Sequence, residues 1–303
     1  MIYFLNRVNG MEGLCNQFMA LFRTISEAFL YRDQGESACI ILADGQTRNF
    51  INLSDEPFFS PLSIDAFIEV DQFQKVLAIQ NVSLLRLREA GEVSQGAIVV
   101  CSRFPISPMT PDSSLRTGAW IANSIPFAQK PLQLADAILG WMSQHSNWTA
   151  LQMRIEGDVL YQPGDNSISY DDYVQQQARL ATDFIAQLPP VSAVYVATGV
   201  EEELLREAMS GLREAYPEVV LLTKKDFLRD FPASGSEFNS LSLEEQALVD
   251  WLVCLGAPNF LGPHGTSFSY LAGYMRHYRG LAPNTTLLWP ENQQYWELWF
   301  PRL

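Results

Sequence analysis

Histidine is scarce: 303 residues contain only His145, His264 and His277, with no HxH or HExxH spacing. There is no DxD pair either, so a bound metal is not expected. Cysteine is almost as sparse, with Cys15, Cys39, Cys101 and Cys254 scattered through hydrophobic segments and no CxxC among them. That pattern suits buried, reduced thiols rather than a disulfide framework. Long apolar runs are missing too, and none approaches the roughly 20 residues of a membrane helix. The opening MIYFLNRVNG lacks a signal peptide's charged start, apolar stretch and cleavage site. The expectation is a cytoplasmic chain with no integral membrane segment, in which the Asn-x-Ser/Thr triplets at Asn52, Asn81, Asn147 and Asn284 are incidental. Positive charge is also short. Twenty Lys and Arg face 34 Asp and Glu, for a net charge of −14 without any basic cluster, which argues against nucleic acid as a partner.

Hydrophobic residues make up 48% and charged residues 18%, the composition of a folded globular chain. Short β-branched or aromatic runs alternate with helical patterns, the signature of βαβ units and mostly parallel sheets. In the second half strands are expected near 150–154, 193–198, 218–223 and 259–262, with helices over 170–188, 201–216 and 243–255 and from 267. The first half has expected strands at 3–8, 38–43 and 97–101 and a helix over 16–31, plus Pro- and Ser-rich stretches at 54–63 and 102–114. This predicts an α/β chain of two Rossmann-like domains, 1–145 and 146–303, divided after a helical stretch at 130–144. The aromatic tail, with Trp289, Trp296 and Trp299, is expected to pack back across the junction.

Four segments fall just beyond strand ends, where open α/β sheets bind ligands. Asn9 to Gln17 forms a glycine-containing loop in which Gly10 and Gly13 allow close approach to a ligand, and Asn16 is a ligand contact or a plain helix N-cap; Glu12 is an exposed loop carboxylate or, for the transfer reaction that the resemblance given below implies, the candidate base. Gln152-Met153-Arg154-Ile155-Glu156-Gly157-Asp158 sets an arginine suited to phosphate at a strand end. Its alternative is a structural pair between Arg154 and Glu156 or Asp158. Val194 to Glu201 places Thr198 at a small-residue turn. In the last segment Asp250 lies inside an apolar helical run, where a carboxylate needs a partner, either a protein arginine or adjacent ligand donors such as those of guanine. Gly265-Thr266-Ser267-Phe268 then opens a helix whose amides favour an anion, or Thr266 is simply its cap. A serine hydrolase using Ser267 and His264 is disfavoured because no GxSxG elbow is present.

In combination these segments resemble the GDP-fucose protein O-fucosyltransferases and, more distantly, the wider fucosyltransferase superfamily of GT-B fold. The loop ending in Asn16-Gln17 is similar to that family's G-x-x-N-Q segment, and 152–158 to its H-x-R-x-x-x-D motif. Val194–Thr198 resembles its V-Y-V-A-T-D strand, and Asp250 through Phe268 its V-D…(S/T)-S-F block. Gln152 stands where the family has histidine, and Gly199 where it has aspartate. Residues 45–130 carry no matching motif. The resemblance implies two Rossmann-like domains facing a cleft, an acceptor-side first domain and a nucleotide-sugar-binding second domain. It implies GDP-fucose as donor, a glycan or protein hydroxyl as acceptor, and inverting, metal-independent transfer with no further cofactor. On this basis Arg154 grips the β-phosphate and Asp250 the guanine. Gly13, Asp158, Thr198, Thr266, Ser267 and Phe268 line the donor, and Asn16 approaches the leaving phosphate. A catalytically silent GDP-sugar-binding protein is the alternative.

Overall fold

Strand alternation accounts for how the second half packs. Along β7 (Trp148–Gln152), β8 (Ala193–Ala197) and β10 (Phe260–Pro263), Ala150, Tyr195 and Phe260 face one buried cluster, while Leu151, Val194, Val196 and Leu261 face another. A strand buried on both faces reads as a near-continuous apolar run, as β8 does, while β7 carries the buried polar residues Thr149 and Gln152. The computed structural model describes residues 1–7, 13–48, 59–92, 97–101, 111–157, 168–263, 265–281 and 283–289.

The first sheet contains β1 (Ile2–Asn6), β2 (Ala38–Leu42), β5 (Val82–Arg86) and β6 (Ile98–Cys101), in the order β5-β2-β1-β6 and all parallel. A separate antiparallel ribbon pairs β3 (Gly45–Arg48) with β4 (Phe59–Leu62). The second sheet has the order β11-β10-β7-β8-β9, again all parallel, with β9 at Val220–Leu222 and β11 at Thr286–Trp289. Its chain runs outward from β7 to β9 and then returns to the other side of β7. The switch point therefore lies between β7 and β10, where such sheets hold their ligands.

The helices are α1 (Leu14–Asp33), α2 (Val70–Ile79), α3 (Pro111–Ser124), α4 (Gln129–Met142), α5 (Tyr170–Ile185), α6 (Glu202–Ala208), α7 (Ser210–Ala215), α8 (Lys224–Asp230), α9 (Pro232–Asn239), α10 (Leu243–Gly256) and α11 (Ser267–Tyr278). Among the described residues no helix is long and apolar enough to cross a membrane. The expected helix over 201–216 is two short helices that meet at Met209. Residues 286–289, expected within an aromatic tail, instead extend the second sheet, while Trp296 and Trp299 lie outside the described residues.

Helices of the second half pack directly on the first. Phe18 of α1 and Trp251 of α10 have ring centroids 5.8 Å apart, and Phe127 lies 5.7 Å from Trp251 in an edge arrangement. Such aromatic pairs add to the area they bury. A Cβ on Gly118 in α3 would come within 2.4 Å of the Tyr278 ring of α11, so only glycine permits that approach. Arg279 donates to the carbonyl of Ala122 at 2.9 Å, a further tie between the halves.

Two buried charges complete the frame. Arg276 is fully buried and donates to the carbonyls of Cys254, Leu255, Ala257, Pro258 and Thr285 and to the hydroxyl of Thr286. It closes the carboxyl end of α10 and fastens β11; burial lowers its pKa to about 10, which still leaves it cationic at neutral pH. Glu244, in the first turn of α10, is also fully buried. Its Oε2 accepts the Leu14 amide of α1 at 2.7 Å, and its Oε1 meets Arg48 Nε at 2.6 Å. A carboxylate from one half thus caps a helix of the other, a favourable place for negative charge.

Replacing Glu244 with alanine leaves Arg48 and the start of α1 without their partner. The expected loss is about 3 kcal/mol, since breaking a buried pair strands the remaining charge, and urea unfolding of Glu244→Ala against the parent measures it. All four cysteines are free and buried, and burial raises each thiol pKa, that of Cys39 from an ordinary value near 9 to about 11. Because the folded values are raised, their contribution to stability is complete below the unfolded value and fades as pH climbs through the folded one. A thiol reagent at pH 8 should therefore label none of the four in native protein and all of them in guanidinium; prompt native labelling would contradict this packing.

Candidate functional site at the switch point of the second sheet

Beyond β7 burial alternates along the chain. Met153 and Ile155 are fully buried, so Arg154 and Glu156 share the opposite side and are partly accessible. Two tyrosines of α5 hold this segment by its carbonyls, Tyr173 Oη donating to Arg154 at 2.9 Å and Tyr170 Oη to Ile155 at 2.5 Å. Arg154 Nη1 donates to Glu156 Oε2 at 2.5 Å, and Glu156 Oε1 accepts the Gly199 amide at 2.7 Å. Arg154 therefore has the structural pairing with Glu156 that its sequence neighbours allow. The pair lies beyond the carboxyl end of β7, and its contact with Gly199 bridges to the end of the adjacent parallel strand β8.

Across the switch point, Thr266 caps α11, its hydroxyl accepting the Ser269 amide at 3.1 Å. The same hydroxyl donates to Gln152 Oε1 at 2.7 Å, and Ser269 Oγ donates to that oxygen as well. Gln152 thereby ties the end of β7 to the start of α11. A Cβ on Gly262 would lie 2.0 Å from Ser269 Oγ, so the glycine is what lets β10 approach the helix closely enough. The amides of Ser267 and Phe268 lie in the first turn, where helix geometry provides no internal acceptor. The Phe268 carbonyl accepts from Trp251 Nε1 at 3.3 Å, linking the site to the aromatic junction.

Asp250 is buried in α10, and both of its oxygens have protein donors. Tyr195 Oη lies 2.7 Å from Oδ1, and Lys224 Nζ 2.5 Å from Oδ2. Burial, then the neighbouring Asp250 charge, keep the Tyr195 phenol protonated, well above its usual range. Lys224 also donates to the Thr198 carbonyl at 3.1 Å. With Thr198, Val200, Thr223 and Lys225 it lines a small depression above β8 and β9. The partner that Asp250 requires is thus a lysine and a tyrosine, where the sequence suggested an arginine or a ligand. Neither was visible beforehand: Tyr195 reads as a strand residue, and Lys224 as the start of a helix.

The first-half loop is less fully placed. Gly13 is the N-cap of α1 and Asn16 lies in its first turn, half-buried, so Asn16 is not the cap. Gln17 exchanges hydrogen bonds with the Gln46 backbone, at 2.8 Å from its amide and 2.9 Å to its carbonyl, and so anchors the β3 ribbon. Glu12 and Asp158 lie outside the described residues, as does His264. Arg154, Gln152, Thr198, Gly199, Thr266, Ser267 and Phe268 are all brought to the carboxyl edge of the second sheet. Among the described residues no group of three or more His, Cys, Asp or Glu is placed to hold a metal ion.

No family model matches the sequence, and no curated protein matches it significantly. Solved structures do match. The crystal structure of POFUT1 in complex with GDP aligns with a TM-score of 0.56 at 10% identity, covering 96% of this chain and 98% of that one. A crystal structure of POFUT1 in complex with GDP-fucose gives 0.56 at 9% identity, with the same coverage. The fucosyltransferase NodZ from Bradyrhizobium gives 0.48 at 12% identity, covering 93% of each chain. At such identities the likeness concerns the path of the chain. Over nearly its whole length, this protein shares the two-sheet α/β fold of the POFUT1 structures, the fold that its motifs led one to expect.

Proposed function

We propose that this protein is a glycosyltransferase that moves fucose from GDP-fucose to a hydroxyl acceptor, with inversion and without a metal. The observation that carries this reading is the convergence of the Arg154 guanidinium, the Gly199 amide and the Thr266-capped start of α11 around one switch point. Those groups present cationic and amide donors where a leaving diphosphate gathers charge, which is the principal electrostatic demand of the transfer. The fold shared with POFUT1, whose crystal structures hold GDP and GDP-fucose, adds support.

Arg154 would grip the β-phosphate, with Ser267, Phe268 and Thr266 along the diphosphate and Thr198 at the edge. Asn16 would approach the leaving phosphate and Gly13 the donor from the first half, and Glu12 and Asp158 belong to the reading as candidate base and donor contact. Guanine recognition by Asp250 has to use the lone pairs that Tyr195 and Lys224 leave. A silent GDP-sugar-binding protein is favoured by one feature, the engagement of Arg154 by Glu156. Turnover of GDP-fucose with a range of hydroxyl acceptors separates the two.

GDP and GDP-fucose should raise the melting temperature more than UDP or ADP, and chelator should leave the shift unchanged. Equal shifts with UDP, or loss of the shift on chelation, defeat the assignment. Arg154→Ala should weaken GDP binding by about 2 kcal/mol, roughly thirtyfold, as a charge-assisted phosphate contact is lost. Asp250→Asn separates two roles. It should destabilise the fold by about 3 kcal/mol through the stranded Lys224, and the preference for GDP over other diphosphates should shrink; a variant that loses stability but keeps its guanine preference marks Asp250 as a structural partner only.

A further inference from the structure

Glu156 already does to Arg154 and Gly199 what an incoming phosphate would do. One carboxylate oxygen takes the guanidinium at 2.5 Å, the other the backbone amide at 2.7 Å. A guanidinium beside an amide at the ends of adjacent parallel strands is a donor set for an oxyanion, and here an oxyanion from the chain itself occupies it. Neither side chain is sealed away: Arg154 keeps 18% of its side-chain surface and Glu156 keeps 12%. Gly199 has no side chain to shield its amide. The backbone beneath is held by Tyr170 and Tyr173 through the carbonyls of Ile155 and Arg154. Rotation of the Glu156 side chain gives up both of these contacts at once, the one on Arg154 and the one on the Gly199 amide.

We propose that Glu156 is a resident anion of the phosphate site. A ligand diphosphate takes over the Arg154 guanidinium and the Gly199 amide, Glu156 swings aside, and this carboxylate sets the affinity for donor and product. This rests on the reading that a nucleotide diphosphate binds at Arg154. The exchange is one anion for another on the same donors, and no covalent bond is made or broken. A diphosphate that remained beside a charged Glu156 would meet like-charge repulsion. Neutralising Glu156 therefore favours the ligand.

Glu156→Gln keeps an acceptor for the Gly199 amide while removing the charge, and Glu156→Ala serves if the glutamine variant fails to fold. Calorimetric titration of parent and variant with GDP and with inorganic pyrophosphate provides the test. The variant should bind both ligands at least about tenfold more tightly, as expected when a like charge leaves an anion site. Adding Arg154→Ala should abolish that gain. If GDP binds the parent as tightly as the variant, or more tightly, Glu156 is a positioning partner of Arg154 and the proposal is overturned, while the GDP reading stands. Should pyrophosphate bind the variant more tightly while GDP binds neither protein, the resident-anion role stands and the nucleotide reading fails. Absence of binding by either ligand to either protein removes both.

Discussion

A single buried carboxylate holds the two halves in register. Glu244 belongs to α10 of the second half, yet its oxygens serve the Leu14 amide of α1 and the guanidinium of Arg48 in the first. Because the group is fully buried, its charge must be matched wherever α10 lies. That requirement sets α10 against α1, and Phe18, Phe127 and Trp251 fill the space beside them. Trp251 in turn reaches the Phe268 carbonyl at the start of α11. The geometry of the candidate site thus depends on a contact between halves at the opposite end of α10 from Arg276.

Within the second half, a set of polar and charged groups gathers at one edge. Parallel strands end there, α11 begins there, and Gln152 bonds the two together across the switch point. Glu156 adds a negative group to donors suited to phosphate. The arrangement gives Arg154 a carboxylate partner within the chain, as an unpaired guanidinium that is partly buried would itself be costly. Asp250, Tyr195 and Lys224 form a second polar unit nearby, whose buried members are all paired with one another.

Legibility varied along the chain for physical reasons. The strands at 148–152, 193–197 and 260–263 were readable because both faces are buried and the runs are short and mostly apolar. Thr266 as cap and the Arg154–Glu156 pair are local, within four residues, and so could be weighed from sequence. Between 45 and 130 the described residues build the β3–β4 ribbon, α2, β5, β6 and α3, and of these only the strand near 97–101 was expected, because the other segments have mixed polarity and carry no motif. The strand at 286–289 was hidden by its aromatic surroundings; only pairing with β10 makes it a strand. Glu244 was masked by its neighbour Glu245, which forms an ordinary capping box with Ser242.

By itself the sequence determined the alternation of strand and helix, the placing of Arg154 and Thr266 just past strand ends, and the burial of the four thiols. These follow from periodicity and short-range spacing, which the chain carries locally. The tertiary structure alone decided which charges meet. Lys224 reaches Asp250 from 26 residues away, Glu244 reaches Leu14 from 230, and Gln152 reaches Thr266 from 114. Buried polar groups must find partners, but which partner is available depends on how the sheets and helices pack, and no local pattern specifies that.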